Sequence, residues 1–347
     1  LRLFCFFLFF NSFCSLFSQE NQSLDPPIHP PKELLVRSDN QGEPFSTTTS
    51  SNLLQTMPWL TGPLLTPSAY TVPPKYWNIQ PYLFYNNPIG FYDTKWENQP
   101  LSRSPRSLNF FLFLQTGLLS FMDFSIYPQF FYNFNNEASS WEFGDLSVFV
   151  SFQLLRNVPG TWIPAIRFAV GETFPTGKYQ NLDPKKYGAD VGGKGTFETS
   201  FLLLFSQLWH FGGDHFLADR FAIELEVSAP LSINGYSIYG GNSYTNGTVS
   251  PGISLNAFLG FEYTLTKNWA LAVDVMNEFS TANTFTGKSG SNLIGFDDSS
   301  YVFSLAPAIE YNLNRSIGFI GGVWFSVMGY NAINFIDGVI AVNFYFQ

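Results

Sequence analysis

Charged residues are scarce in this sequence. They make up 12% of its 347 residues, about half the usual share in a soluble domain. A soluble enzyme with so few charges would have difficulty covering its surface. The net charge is -9, which repels phosphate and argues against a nucleic-acid binder. Long apolar runs are missing too. Mean hydropathy is only +0.03, and no stretch of about 18 apolar residues provides a membrane-spanning helix. Cysteine is limited to Cys5 and Cys14, so the chain beyond them has neither disulfides nor thiolate chemistry. Histidine numbers only three, which restricts acid–base and metal chemistry. What the chain does have is apolarity dispersed one residue at a time: 45% of it is hydrophobic, including 40 Phe and 17 Tyr.

Residues 1–18 read as a secretory signal peptide. Arg2 is followed by the apolar run Leu3 to Phe10 and then by small residues at Ser12, Ser15 and Ser18. Residues 19–50 are polar and broken by proline, as in a flexible, disordered periplasmic linker. Residues 51–74 differ, because Trp59, Leu60, Leu64, Leu65 and Tyr70 are interspersed with Pro and Gly. That stretch is too apolar to float free and too rich in proline for a regular element, so it is expected to pack at or in the mouth of the main domain, residues 75–347.

From Lys75 onward the apolar period is two. Leu146, Val148, Val150, Phe152 and Leu154 share one face of a strand, and Asp145, Ser147, Ser151 and Gln153 share the other. Phe221, Ile223, Leu225 and Val227 repeat the pattern against Arg220, Glu224, Glu226 and Ser228. Twelve candidate strands follow, at 75–86, 107–117, 121–133, 143–155, 162–174, 196–209, 219–230, 252–264, 269–280, 299–312, 316–328 and 334–346. Most exceed the usual strand of about 5–6 residues and are long enough, when tilted, to cross a bilayer. Short connections, such as 118–120, 157–161, 210–215, 266–268 and 313–315, alternate with long polar ones at 87–106, 134–142, 175–195, 231–251 and 281–298. Short periplasmic turns and long external loops are the mark of an outer-membrane barrel. The predicted fold class is therefore all-β, a transmembrane antiparallel up-and-down barrel of about 12 strands.

The charges and aromatics fit this fold. Only Arg167 and Arg220 lie well inside strands, both on the polar face. A Lys or Arg facing lipid costs about 2–4 kcal/mol at the bilayer midplane. Trp162, Trp209, Tyr263, Trp269 and Tyr311 fall at strand ends next to short turns, as a periplasmic aromatic girdle would. With the apolar face outward, the lumen receives Asp123, Asp145, Glu198, Glu224, Glu226, Glu262, Asp274, Glu278, Glu310 and Asp337, ten acids against Arg167 and Arg220. Such a field favours cations over anions. Alternatively, individual acids form structural ladders with the arginines, Ser and Gln, Arg220 with Glu262 among them. Phe111, Phe113, Phe131, Phe149 and Phe258 add apolar lining or fill space. Twelve strands lie between barrels filled by side chains and wide porins, so a narrow pore for small amphipathic, aromatic or cationic solutes is expected.

Gly144-Asp145-Leu146 opening one strand, and Thr173-Phe174-Pro175-Thr176-Gly177 ending the next, resemble the outer-membrane barrels of the "MetA-pathway of phenol degradation" family. The likeness is strongest over residues 140–210 and weaker through the C-terminal strands. It implies a barrel in the bacterial outer membrane with a transporter-like role. Physically, Pro175 removes a ladder donor and Gly177 permits a turn. The ending Asn343-Phe344-Tyr345-Phe346-Gln347 resembles the C-terminal signal read by barrel-assembly machinery, with its aromatic penultimate.

No catalytic, cofactor or metal site is expected. His29 falls in the linker, and His210 and His215 fall at a turn, where Asp214 offers only a weak metal set. The glycines of Gly192-Gly193-Lys194-Gly195 lack the context of a phosphate loop and read as part of an external loop. The competing function is a non-conducting, adhesin-like barrel. In that reading Lys178, Lys185, Lys186 and Lys194 face lipopolysaccharide, and the loop at 235–247 meets other surfaces.

Overall fold

The computed structural model describes residues 58–347 except 102–104, 158–160, 291–292 and 297. The signal-peptide and linker readings, both cysteines and residues 51–57 lie outside the described residues.

Twelve antiparallel strands close into a barrel. In chain order they are β1 (Trp77–Asn86), β2 (Arg106–Leu119), β3 (Met122–Tyr127, continued by Gln129–Phe134), β4 (Leu146–Leu155), β5 (Ala165–Phe174), β6 (Glu198–Gly212), β7 (His215–Ser228), β8 (Ser254–Thr264), β9 (Trp269–Ser280), β10 (Ser300–Asn314), β11 (Ile317–Tyr330) and β12 (Ala332–Phe346). Each pairs with the next, and closure comes from β1, whose Trp77 sits opposite both Thr116 of β2 and Phe346 of β12. Within this ring of twelve every strand has a partner on both sides, so the wall satisfies its own backbone polar groups, as a membrane requires.

The period of two decides which side of the wall each residue occupies. In β8, Leu255, Leu259, Phe261 and Tyr263 point outward and are exposed, whereas Asn256, Phe258 and Glu262 point inward and are buried. The same reversal runs through β7, with Ile223, Leu225 and Val227 outside and Glu224 and Glu226 inside. A wall that is apolar outside and polar inside is the inverse of a soluble sandwich.

Several boundaries differ from the sequence reading. Pro128 has no N–H, so the strand expected at 121–133 is interrupted there, although Leu112 N still donates to Pro128 O. The strand expected at 143–155 begins at Leu146, and Ser139–Phe143 forms a separate short strand before it. β5 starts at Ala165, which leaves Trp162 in the preceding connection. β6 and β7 extend to Gly212 and from His215, so His210 and His215 belong to strands and the turn is only Gly213-Asp214. The alternation of short and long connections also has an exception. β11 and β12 are joined at the long-loop end by Asn331 alone, in a left-handed conformation with φ 50°.

The long loops have structure of their own. Leu231–Asn234, Asn246–Ser250 and Thr284–Lys288 form a three-stranded sheet. Val191, Ile233, Ile238, Tyr239 and Val249 are buried together there, with Phe285 and Phe296 packed against them. The loop between β5 and β6 folds inward beneath this cap, and its residues 188–196 are buried.

Candidate functional site: the lumen and the segment within it

All twelve charged residues assigned to the lumen by phase are buried on the inner face. Phe111, Phe113, Phe131, Phe149 and Phe258 are buried there as well. The interior is not an empty channel. Residues 58–76 cross it at the short-turn end, and Leu64, Leu65 and Ala69 of that segment join the same apolar cluster as Phe111, Phe113, Phe149, Phe258 and Trp324.

The segment's prolines keep it from being a strand, so its backbone donors cannot be satisfied by a ladder. Side chains of the wall satisfy them instead. Thr61 N donates to Glu310 at 2.8 Å. Leu65 N and Thr66 N donate to the two oxygens of Asp274 at 3.2 and 2.8 Å. Ala69 N donates to Ser206 Oγ, Thr71 N to Gln153 Oε1 and Val72 N to Asp123 Oδ2. Arg167 works in the opposite sense, since its Nη1 donates to the carbonyls of Ser68 and Tyr70 while Nη2 donates to Ser151 Oγ. Asn312 Nδ2 donates to Trp59 O, and the Lys267 ammonium lies 4.7 Å from the centre of the Trp59 ring. Asp123, Arg167, Asp274 and Glu310 therefore hold a length of the protein's own chain.

Small residues in the wall mark the segment's path. A Cβ at Gly260 would lie 2.7 Å from Pro63 Cγ and 2.8 Å from Thr66 Cβ, and one at Gly318 would lie 2.0 Å from Thr61 Oγ1. Nothing in the sequence distinguished Gly260 or Gly318 from other strand glycines. Gln153 and Ser206 were legible only as inward polar residues, because the pattern cannot separate a side chain that meets water from one that grips a peptide.

Apart from Glu262, the remaining acids lie toward the long-loop end. Asp145 accepts from Gly177 N at 2.8 Å and from Lys194 N at 2.6 Å. Thr176 Oγ1 donates to Gly144 O. A Cβ at Gly193 would strike Asp145, and one at Gly177 would strike the 192–193 backbone. Gly144, Asp145, Thr176 and Gly177 thus form a knot that folds the β5–β6 loop into the barrel.

Lys194 departs from the surface role expected of it. Its ammonium is buried and lies 3.0 Å from Glu198 Oε2, which also accepts from Ser228 Oγ. Burial works against its charge, but Glu198, Glu226 and Asp145 outweigh that and raise its pKa above the usual lysine range. Lys178 contacts Asp190 at 2.5 Å. Arg220 lies 2.8 Å from Glu262, Glu224 accepts from Asn256, and Asp337 accepts from Asn87 N. Glu226 and Glu278 have no hydrogen-bond donor on either oxygen.

At the short-turn end, Trp162 stacks edge-on against Trp209 and Trp269 packs on Tyr311, each pair 4.7 Å apart. Tyr263 stacks on His215, and His210 stacks on Phe216. The rings of Trp162, Tyr263 and Trp269 are exposed on the outer face, and Trp209 Nε1 satisfies Asp219, an acid on the outer face that the sequence reading passed over. Among the described residues, no three His, Cys, Asp or Glu side chains converge as a metal site.

The barrel is similar to the crystal structure of an outer membrane channel from Pseudomonas putida F1, with a TM-score of 0.60 and 14% identity over 80% of this chain and 97% of that one. The translocator domain of the autotransporter NalP from Neisseria meningitidis aligns at a TM-score of 0.40 and 12% identity, over 77% of this chain and 88% of that one. No family model matches the chain, and no curated protein matches it. At 14% identity the likeness to the channel bears on the fold alone, a closed antiparallel barrel of the outer-membrane type.

Proposed function

We propose that the protein is a channel or transporter-like barrel of the bacterial outer membrane, related to the MetA-pathway type and closed at its periplasmic end by its own residues 58–74. The short-turn end is the periplasmic end and the capped end faces outward. The observation that carries this reading is the way the inner segment is held. Wall side chains, four of them charged, grip its backbone, and no strand pairing ties residues 58–73 to the barrel. A lumen that accommodates an extended peptide becomes an aqueous path of similar width when the peptide leaves. Acids and aromatic rings line that path, which suits small amphipathic, aromatic or cationic solutes rather than anions. The reading implies export to the outer membrane, assembly through the C-terminal strand, lipid and lipopolysaccharide around the wall, and no enzymatic step. The Gly144-Asp145 and Pro175-Thr176-Gly177 knot supports the kinship, because both halves of the shared pattern act on one loop.

Planar-bilayer recording of purified protein lacking residues 58–74 tests the proposal. A large rise in conductance with preference for K+ over Cl− is expected. Conductance equal to that of the full chain, in a correctly folded barrel, would refute it.

A further inference from the structure

The mechanism above uses the acids that hold the inner segment and the loop knot. It leaves a second group of carboxylates unexplained. Glu198 opens β6, Glu224 and Glu226 lie on β7, and Glu278 lies on β9. Register places them in one patch of inner wall: Glu198 is opposite Ser228, Glu224 is opposite Asn256, Glu226 is opposite Ser254, and Asn256 is opposite Glu278. All four are at least nine-tenths buried. Lys194 is the base that reaches this patch, and its ammonium is engaged by Glu198. Asn256 supplies one donor to Glu224.

That leaves Glu278 and Glu226 with no donor on any of their four oxygens. Glu278 also lines a cavity of about 80 Å³. Lys194, Glu198, Ser254, Asn256 and Ser280 form other parts of its boundary. A buried carboxylate without a donor is costly, and several together repel one another. The cavity has room for a few water-sized groups. Among the described residues these carboxylates do not converge as a metal-chelating set, and the hydroxyl and amide groups between them accept hydrogen bonds in several directions. This chemistry suits a compact cation that carries its own N–H donors.

We propose that this cavity is a binding site for a small primary ammonium, with Glu278 as its principal acceptor. The ammonium donates to the Glu278 carboxylate and to the neighbouring Ser254 and Asn256 oxygens, and its charge offsets the acids that Lys194 leaves uncompensated. The inference rests on the channel reading only for the route by which the amine arrives. Binding in detergent micelles needs no open pore, so failure of this site and failure of conductance are separate results.

Isothermal titration of the full barrel in neutral buffer with methylammonium chloride, and separately with KCl, tests it. One saturable methylammonium site is expected, at least tenfold tighter than any K+ site. Affinity should fall at least tenfold in Glu278→Gln, and Glu278→Asp should recover part of it. Heat-modifiable gel mobility verifies that each variant is folded. Should a variant fail to fold, the wild-type comparison with tetramethylammonium, which has no N–H and should bind at least tenfold more weakly than methylammonium, decides instead. Absence of saturable methylammonium binding, K+ binding of equal strength, or unchanged affinity in the folded variants overturns the assignment.

Discussion

Asp274→Ala is the sharpest perturbation of the inner segment. Asp274 sits on β9 opposite Gly260 and Ala306, and its two oxygens accept from Leu65 N and Thr66 N. A hydrogen bond to a charged acceptor contributes about 1.5–3 kcal/mol net. Losing two, with the freed amides able to take up water once the segment loosens, should weaken the closed state by about 3 kcal/mol. At 1.4 kcal/mol per factor of ten, the closed-to-open ratio falls by about two orders of magnitude. Asp274→Asn retains one carbonyl oxygen without the charge, so a shift of about tenfold is expected. Open probability in planar bilayers reads the shift directly. A cysteine at Leu65, buried in the closed state, gives an independent readout, since a water-soluble maleimide should label it far faster in the Asp274→Ala background. If open probability stays within twofold of wild type and Leu65→Cys stays protected, then Asp274 does not hold the segment and the reasoning fails.

Other outcomes follow from the same geometry. Gly260→Leu should displace Pro63 and Thr66, because the nearest atoms to its Cβ belong to the segment rather than to the wall; conductance should rise while unfolding in urea changes little. Lys194→Met leaves Glu198 buried without its ammonium, a loss of about 3–5 kcal/mol for a broken buried pair; equilibrium unfolding measures it, and protease cutting within 175–197 should accelerate. Ile340→Arg puts a charge on the outer face of β12, where Ile340 is 58% exposed, and should cost about 2–4 kcal/mol in vesicle refolding if that position meets the hydrocarbon midplane.

Much of the barrel was legible because lipid forces a strict rule on every strand. Alternation in β4, β7 and β8 needed no knowledge of partners, and the phase sorted Glu224 inward and Leu225 outward without a structure. Strand ends were less legible. Pro128 and the Gly144-Asp145 step interrupt ladders within apparently continuous alternation, and nothing in local pattern signals that Asn331 alone turns the chain between β11 and β12. Lys194 was misplaced for a different reason. Its sequence context is that of a glycine-rich external loop, and contacts such as those of Gly193 and Lys194 with Asp145 bring that loop inside. Such contacts join residues about 50 positions apart and leave no periodic trace.

The way the inner segment is held has consequences for how it can move. Had residues 58–74 added a strand to the wall, leaving would break a ladder and open an edge in the membrane, which is prohibitive. Side chains provide the grip instead, and each of them can exchange a peptide amide for water when the segment withdraws. The barrel pairing from β1 to β12 is unaffected by that exchange. Closure and integrity of the wall are therefore separable, and substitutions at Asp123, Arg167, Asp274 or Glu310 should change gating before they change folding. An apolar plug of the same length, held only by Leu64 and Leu65 in the aromatic cluster, would be removed against buried apolar area alone and would leave no charged lining behind it. On the channel reading, withdrawal of the segment would leave its acceptors facing the path that a cationic solute would take.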